Sequence, residues 1–136
     1  MIYHVARESE LRAGVSGATY APLRLPEDGF VHCSAGRDVT IAVANDYYAD
    51  VGEPLLLLAL DPARLTAELR FEAAAPIAGG GREHLGSARE FPHVYGPLNL
   101  DAVVGVGVLR RGAAGYRWPP RFEPLAHALA RLAAAR

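Results

Sequence analysis

Hydrophobic and polar residues alternate along this chain with two different periods, and each period predicts one kind of element. Short apolar or alternating runs predict β-strands, and we expect these over residues 2–6, 30–33, 55–60, 69–72 and 103–109. Apolar residues at helical spacing predict helices, which we expect over residues 9–13, 34–48 and 123–135. The run Leu55–Leu60 contains no polar residue, so its strand is expected to be buried on both faces.

Three stretches carry no such pattern. Residues 73–90 include three consecutive glycines and predict a long loop. Two prolines within residues 91–97 disfavour a regular element there, and glycine and proline interrupt residues 110–120 as well. Because strands and helices do not alternate regularly, we predict an α+β fold rather than a doubly wound sheet. We expect one domain over residues 1–111, and a C-terminal extension over 112–136 whose helix packs on the same domain.

Composition and charge exclude several classes of protein. The chain has 136 residues, of which 51% are hydrophobic and 21% charged, so it is long and apolar enough to fold around a core of its own. Fourteen basic residues against fifteen acidic ones leave a net charge of −1, which argues against a dedicated nucleic-acid binder. All the basic residues are arginine, so chemistry that needs a lysine, such as a Schiff base or a P-loop, is excluded.

Cysteine content and hydropathy bear on the compartment. The single cysteine excludes an intrachain disulfide and fits a reducing compartment. The first residues show no pattern of a secretory signal, and the longest apolar run, Leu55–Leu60, is too short to cross a bilayer. We therefore expect a soluble cytoplasmic protein without membrane association, either a monomer or a homodimer.

Two predicted strands each carry a histidine beside apolar residues. Period two places His4 on the face of Ile2 in the first strand. In the second strand, His32 shares a face with Phe30 and Ser34. A buried histidine is often a structural residue with a hydrogen-bonded ring, whereas histidines gathered from distant strands are typical of a functional site. Both interpretations stay open for these two residues.

Ser34 lies where a strand gives way to a helix. Exposed amides and the positive end of the helix dipole favour a phosphate or a carboxylate at such a position, and Arg37 adds a positive charge nearby. The alternative is an ordinary helix cap. Only the histidine two residues earlier favours anion binding over that alternative.

Residues 91–99, with the sequence FPHVYGPLN, place an imidazole, a phenol and a carboxamide in one segment. Prolines hold such polar groups in place at a low entropic cost. His93, Tyr95 and Asn99 are therefore candidates for a site, although a structural loop anchored by Tyr95 explains the same pattern. Among the carboxylates, spacing alone singles out no pair of a catalytic acid and base.

Cysteine and metal chemistry find no support in the spacing. Neighbouring strand residues point to opposite faces, so His32 and Cys33 do not form a nucleophile pair, and Cys33 is expected to pack as a small apolar side chain. His84 and His93 have no spacing that matches a zinc pattern with Cys33. We expect no bound metal.

Several short segments stand out together. They are IYHV at residues 2–5, GFVHCS at 29–34, VANDYY at 43–48, LLALD at 57–61, RFE at 70–72 and FPHVYGPLNLDAVV at 91–104. Together they resemble the bacterial domain of unknown function 952 family, over about residues 1–110. Leu11 stands where many members of that family have tryptophan, a difference that we expect to affect packing only.

The fold of the family that these segments resemble is similar to the ADP-ribosyltransferase fold. That fold implies a small split β-sheet, mixed or antiparallel and flanked by short helices, with NAD held in a cleft. The resemblance implies that His4 binds a ribose, that His32 stacks on the nicotinamide, and that Ser34 fixes its carboxamide or a phosphate. Glu72 is the nearest carboxylate to serve as the glutamate that holds the nicotinamide ribose.

The resemblance implies an enzyme that uses NAD as its substrate, by glycosyl transfer or by hydrolysis. In this hypothesis His93 and Tyr95, with Glu72, act at the reacting carbon, because preset polar groups stabilise the oxocarbenium-like state of glycosidic cleavage. The expected catalytic residues are His32, Glu72, His93 and Tyr95, and the expected NAD-binding residues are His4, His32, Ser34, Arg37 and Asn99.

Two other functions fit the same residues. The site is alternatively a module that binds a nucleotide or another small anionic ligand without converting it. In the third interpretation the histidines are structural and the protein acts through protein interactions. Both ligand-binding hypotheses require one cleft that is lined by His4, His32 and Tyr95 together.

Overall fold

The computed structural model of the chain describes residues 1–74 and 89–134. Its strands are β1 (Ile2–Arg7), β2 (Val15–Ser16), β3 (Thr19–Tyr20), β4 (Val31–His32), β5 (Leu55–Leu60), β6 (Glu68–Ala73), β7 (Glu90–Tyr95), β8 (Leu98–Asn99), β9 (Val103–Gly112) and β10 (Gly115–Arg117). Its helices are α1 (Glu8–Gly14), α2 (Leu25–Asp28), α3 (Arg37–Tyr47) and α4 (Leu125–Ala134), with short 3₁₀ turns at Pro62–Arg64 and Leu100–Ala102.

The strands form three antiparallel sheets. The largest has the order β1–β5–β9–β10, and the smaller ones have the orders β2–β3–β8 and β4–β7–β6. The α+β class predicted from the sequence is confirmed. The sheet of β4 meets the largest sheet at a bridge between Ser34 and Tyr3, where each backbone N–H donates to the other carbonyl at 2.8 Å.

The core lies on both faces of β5, which is buried along its whole length. Its even-numbered leucines join a cluster that includes Leu132 of α4, and its odd-numbered leucines join a cluster that includes Ala44 of α3. The prediction of a strand covered on both faces is confirmed, because an apolar run with no polar side is hidden from water only in that arrangement. No helix in the described part of the chain has the length and apolar character needed to cross a membrane.

Residues 91–97 depart most clearly from the sequence prediction. The prediction that they form no regular element is wrong, because Glu90–Tyr95 is strand β7, the middle strand of its sheet. Pro92 has no N–H to offer to a ladder, but its carbonyl accepts from the N–H of Cys33 at 3.0 Å. The reciprocal hydrogen bond, from Pro92 to the carbonyl of Cys33, cannot form, and β4 ends at this point. A central strand therefore tolerates the proline.

The chain after β9 is also more regular than predicted. β9 continues to Gly112 and turns back into β10, so the expectation of an irregular tail over residues 110–120 is wrong for its first part. Gly115 has a φ of +108°, which glycine adopts at little cost. The loop predicted over residues 73–90 lies mostly outside the described residues.

Replacing Leu58 by alanine tests whether β5 organises the core. Leu58 is fully buried in the cluster that includes Leu132, whereas Leu23 is 81% exposed. We expect Leu58→Ala to lower the free energy of unfolding by roughly 2–5 kcal/mol, and Leu23→Ala to change it by less than about 0.5 kcal/mol, both measured by urea denaturation. Similar losses in the two variants would contradict this account of the core.

Candidate functional site

His93 of β7 and Glu72 of β6 form a carboxylate–imidazole pair. The ring Nδ1 lies 2.9 Å from Glu72 Oε1, and the hydroxyl of Tyr95 donates to the same oxygen. An ionised carboxylate only accepts hydrogen bonds, so Nδ1 carries the hydrogen and Nε2 of the neutral ring is an acceptor. His93 is only 2% exposed, and these contacts fix the orientation of its ring.

The neighbours of Glu72 favour its charged form. The Tyr95 hydroxyl, and after it the His93 ring, hold the pKa of Glu72 below its ordinary value. The same hydrogen bond raises the pKa of Tyr95, so the phenol stays protonated and continues to donate. The guanidinium of Arg70 lies 4.5 Å from the centre of the Tyr95 ring and adds a cation–π contact.

Phe30 is the common neighbour of the rings in this site. It stacks on His93 with ring centroids 4.0 Å apart, and its centroid lies 4.7 Å from that of His32 and 5.4 Å from that of Tyr95. Gly29, just before it, ends α2 with a φ of +82°, which lets the chain turn sharply into β4. One apolar ring thus packs against polar rings from both strands.

His32 of β4 is the cross-strand partner of His93. The bond from Cys33 to Pro92 makes the adjacent His32–His93 pair a non-hydrogen-bonded one, in which the two side chains share a face and approach closely. Their ring centroids are 5.9 Å apart, edge to face. His32 Nε2 lies 3.1 Å from Asp28 Oδ2, so a second carboxylate fixes the tautomer of this ring.

His4 of β1 contacts the same segment through the backbone. Its Nδ1 donates to the carbonyl of His32 over 2.7 Å, because a carbonyl at a non-hydrogen-bonded position points away from the paired strand. Its Nε2 is buried and has no hydrogen-bond partner among the described residues. Burial lowers the pKa of His4 and of His32, although the hydrogen bond that each ring makes acts in the opposite direction. Burial therefore favours the neutral form of both rings.

Two adjoining cavities lie around His32. The first is called the crevice. Its narrow part has a volume of about 30 Å³ for a water-sized group, and it opens into about 480 Å³ of space that includes open solvent. About one water molecule fits in its narrow part. The second, called the larger cavity, has a volume of about 290 Å³. The walls of the crevice include Tyr3, His32, Ser34, Tyr48 and His93, and those of the larger cavity include His4, Arg7, Glu10, Phe30, His32 and Tyr48.

The expectation that His4, His32 and Tyr95 line a single cleft is wrong. His4 lies on the larger cavity, Tyr95 lines neither cavity, and only His32 lines both. The structure nevertheless brings the four predicted catalytic residues into contact, because His32 touches His93, and Glu72 binds both His93 and Tyr95. The chemistry-bearing groups are therefore joined, but the open space around them is divided.

Ser34 and Arg37 lie on the side of the crevice. Ser34 is 4% exposed and lines the crevice with His93. The guanidinium of Arg37, at the start of α3, lies 5.0 Å from the Trp118 ring. Trp118 in turn packs edge-on against Tyr3, with centroids 4.9 Å apart. The ring of Trp118 thus lies between Arg37 and Tyr3, which forms part of the crevice wall.

Asn99 is fully engaged inside the fold. Its carbonyl oxygen accepts from the backbone N–H and the hydroxyl of Thr66, at 3.0 and 3.3 Å. Its amide donates to the carbonyl of Arg64 at 2.8 Å and to the carboxylate of Asp101. These bonds use all four hydrogen-bonding positions of the carboxamide, and Asn99 lines neither cavity. The structure therefore gives it a structural role rather than the expected role in nucleotide binding.

Sequence reasoning missed Asp28 and Phe30 as members of the site. A signal existed for both of them. Asp28 precedes His32 by four residues, a spacing at which side chains meet where the chain turns helically, and Phe30 shares the strand face of His32. Their contacts with the histidines were not deducible, because they depend on where α2 ends.

Cys33 belongs to the core rather than to the chemistry. It is 4% exposed within the main hydrophobic cluster, which confirms the expectation that it packs as an apolar side chain, and burial raises the pKa of its thiol. Within residues 1–74 and 89–134, no group of three or more His, Cys, Asp or Glu side chains is arranged to hold a metal ion. His84, considered above for zinc, lies outside the described residues.

Comparison with known proteins identifies the family. No curated protein matches the chain. The family described as "Protein of unknown function (DUF952)" matches residues 5–106, which is most of the chain. The chain belongs to the DUF952 family. In this DUF952 protein, β10 and α4 lie beyond the matched residues, and His4 lies immediately before them.

Two solved structures resemble this DUF952 protein. They are crystal structures of protein CC0527 from Caulobacter crescentus, at 24% sequence identity with a TM-score of 0.55, and of a double mutant of the same protein, at 23% with a TM-score of 0.54. Each match covers 93% of this chain and 96% of the other. At this level of identity, the likeness shows a shared fold and nothing more.

Replacing His4 by glutamine tests whether the buried ring is neutral. The fold lowers its pKa from 6.5, so the stability it contributes is present above that pH and is lost as the pH falls towards the folded-state pKa. We expect the free energy of unfolding to fall between pH 7 and pH 5, and His4→Gln to reduce that slope by up to about 1.4 kcal/mol per pH unit. His127→Gln, at an exposed position of α4, is the control and should keep the slope. Identical slopes in all three proteins would contradict a neutral His4.

Replacing Glu72 by glutamine tests the charge of the carboxylate. Its pKa is lowered in the fold, so its charge stabilises the native state at neutral pH, and this contribution is lost as the pH falls through the folded-state pKa. We expect Glu72→Gln to lower the Tm at neutral pH, with a difference from the unchanged protein that shrinks in acid. Glu27→Gln, at an exposed carboxylate, should show neither effect. A Tm difference that stays constant with pH would refute the assignment.

Proposed function

We propose that this protein binds a nucleotide of the NAD type at the crevice and cleaves its N-glycosidic bond, by hydrolysis or by transfer to an acceptor. The observation that carries the proposal is the position of His93. Its ring lines a crevice whose narrow part has room for about one water molecule and which widens into about 480 Å³ of space that includes open solvent. Glu72 fixes the ring in the tautomer whose free nitrogen accepts a proton.

His93 is the general base of the proposed hydrolysis. A water molecule gives one proton to His93 Nε2 while its oxygen attacks the anomeric carbon, and the bond from that carbon to nicotinamide breaks, with nicotinamide leaving as a neutral molecule. In transfer, an acceptor hydroxyl or amine replaces the water. Glu72 stabilises the imidazolium that forms, and Tyr95 keeps that carboxylate in place.

Other residues of the crevice serve to hold the nucleotide. Ser34 lines the crevice, and in this proposal it binds the carboxamide or a phosphate. Arg37 lies over Trp118, which packs on Tyr3 of the crevice wall, and offers a charge for phosphates that extend beyond the crevice. His32 borders the bound ring, and His4 acts through the His32 carbonyl as a positioning residue.

Binding without conversion is the second candidate function, and one observation favours it. Glu72 lines neither cavity, so its carboxylate is not in position to contact the ribose carbon directly. The strongest stabiliser of an oxocarbenium-like state is then absent from the reacting centre. A site of this kind holds the nucleotide with the same residues but leaves the glycosidic bond intact.

Turnover and binding are separated by replacing His93. With NAD as the probe, we expect binding by isothermal titration calorimetry and release of nicotinamide by chromatography. His93→Ala should lower the release rate by roughly 10²-fold or more with little change in Kd, and His127→Ala should change neither. Binding without any release would select the non-catalytic function, and the absence of both would refute the two candidates.

A further inference from the structure

The larger cavity is not used by the proposed function. It adjoins the crevice at His32 and lies between α1, the segment that contains α2, and β1. Its volume of about 290 Å³ is at the small end of the range for ligand sites. Leu23, which is 81% exposed, lines it, so the cavity reaches the surface there and a small molecule has a route to enter.

Three polar groups on this cavity have capacity left for a ligand. Nε2 of His4 is buried without a partner among the described residues, and it is an acceptor because Nδ1 carries the hydrogen. Glu10 uses Oε2 to accept from the N–H of Leu23 at 3.1 Å, which leaves its other oxygen available. Arg7 lies over the Tyr48 ring at 5.7 Å and makes no ion pair within the described part of the chain.

The remaining charged groups on the cavity are already paired. Asp28 binds His32 at 3.1 Å and Arg24 at 3.4 Å. The charge of Glu10 acts on His4, and both residues line the cavity. The available set is therefore one cation, one carboxylate oxygen and one neutral acceptor nitrogen.

This set selects a zwitterion. A phosphate or a simple carboxylate would suit Arg7 but would be repelled by Glu10, whereas a simple amine would suit Glu10 but would leave Arg7 without a partner. An ammonium group has three donors and can serve Glu10 and His4 together. The apolar part of the wall consists of Val5, Pro22, Leu23, Leu25, Phe30 and Val31.

We infer that the larger cavity binds a free α-amino acid with an apolar side chain. The ammonium group donates to His4 Nε2 and to Glu10, the carboxylate binds Arg7, and the side chain packs on the apolar walls. Binding gives the buried nitrogen of His4 the donor that it lacks in the free protein. The site is separate from the crevice, and it shares with it the walls formed by Val5, His32 and Tyr48.

Three related probes test this inference. L-phenylalanine carries both charges, 3-phenylpropionate lacks the ammonium group, and 2-phenylethylamine lacks the carboxylate. By isothermal titration calorimetry at neutral pH, we expect L-phenylalanine to bind, and each of the other two to bind at least about tenfold more weakly. Equal affinity for all three, or no binding of L-phenylalanine and L-leucine at millimolar concentration, would overturn the inference.

Matched variants connect the binding to the assigned residues. Glu10→Gln and Arg7→Gln should each weaken L-phenylalanine binding by at least about tenfold, and Glu27→Gln should leave it unchanged. Circular dichroism checks that each variant is folded. In the ¹⁵N spectrum of the unchanged protein, the His4 Nε2 resonance should shift when the amino acid binds, and an unshifted resonance would refute the contact.

The outcome is independent of the nucleotide proposal. His93→Ala removes the base of the crevice and should leave L-phenylalanine binding intact, because His93 does not line the larger cavity. NAD that displaces L-phenylalanine in a competition titration would show one shared site, and would overturn the assignment of two ligands to two cavities.

Discussion

The arrangement of the site depends on one missing hydrogen-bond donor. Pro92 lacks the N–H that would continue the ladder between β4 and β7, so the chain after β4 leaves that sheet, and Ser34 pairs with Tyr3 of β1 instead. This change of partner joins two sheets whose strands are far apart in sequence. It also brings the His4 ring within 2.7 Å of the carbonyl of His32, and both cavities are lined by residues of this junction.

Each of the three histidines has one nitrogen committed to a group that only accepts. His4 donates to a backbone carbonyl, His32 to Asp28 and His93 to Glu72. When such a ring carries a single hydrogen, its second nitrogen is therefore an acceptor. The three rings thus share one arrangement of hydrogen but lie in different surroundings. In our two proposals, the acceptor of His4 on the larger cavity takes a donor from a ligand, and the acceptor of His93 on the crevice takes a proton from water.

The sequence was sufficient for the elements whose hydrophobic pattern is simple. The unbroken run Leu55–Leu60 predicted a doubly buried strand, and the helical spacing within residues 34–48 predicted α3, which begins three residues later at Arg37. The sequence was insufficient for β7. Proline is expected to disrupt a central strand, but here the partner strand β4 ends just before the position opposite Pro92. The hairpin of β9 and β10 was missed for a related reason, because Gly115 was interpreted as an interruption although it closes the turn.

For the site, the sequence determined the types of group available, namely two histidines on predicted strands and a third histidine with a tyrosine in residues 91–99. Only the family resemblance singled out the carboxylate of Glu72. Tertiary structure alone decided that Glu72 binds His93, that Asn99 makes its hydrogen bonds within the fold, and that two separate cavities adjoin His32. The physical reason is that strand periodicity specifies a face, whereas contacts between strands depend on register and on where each ladder ends. Those are properties of paired strands, which no single segment of the chain contains.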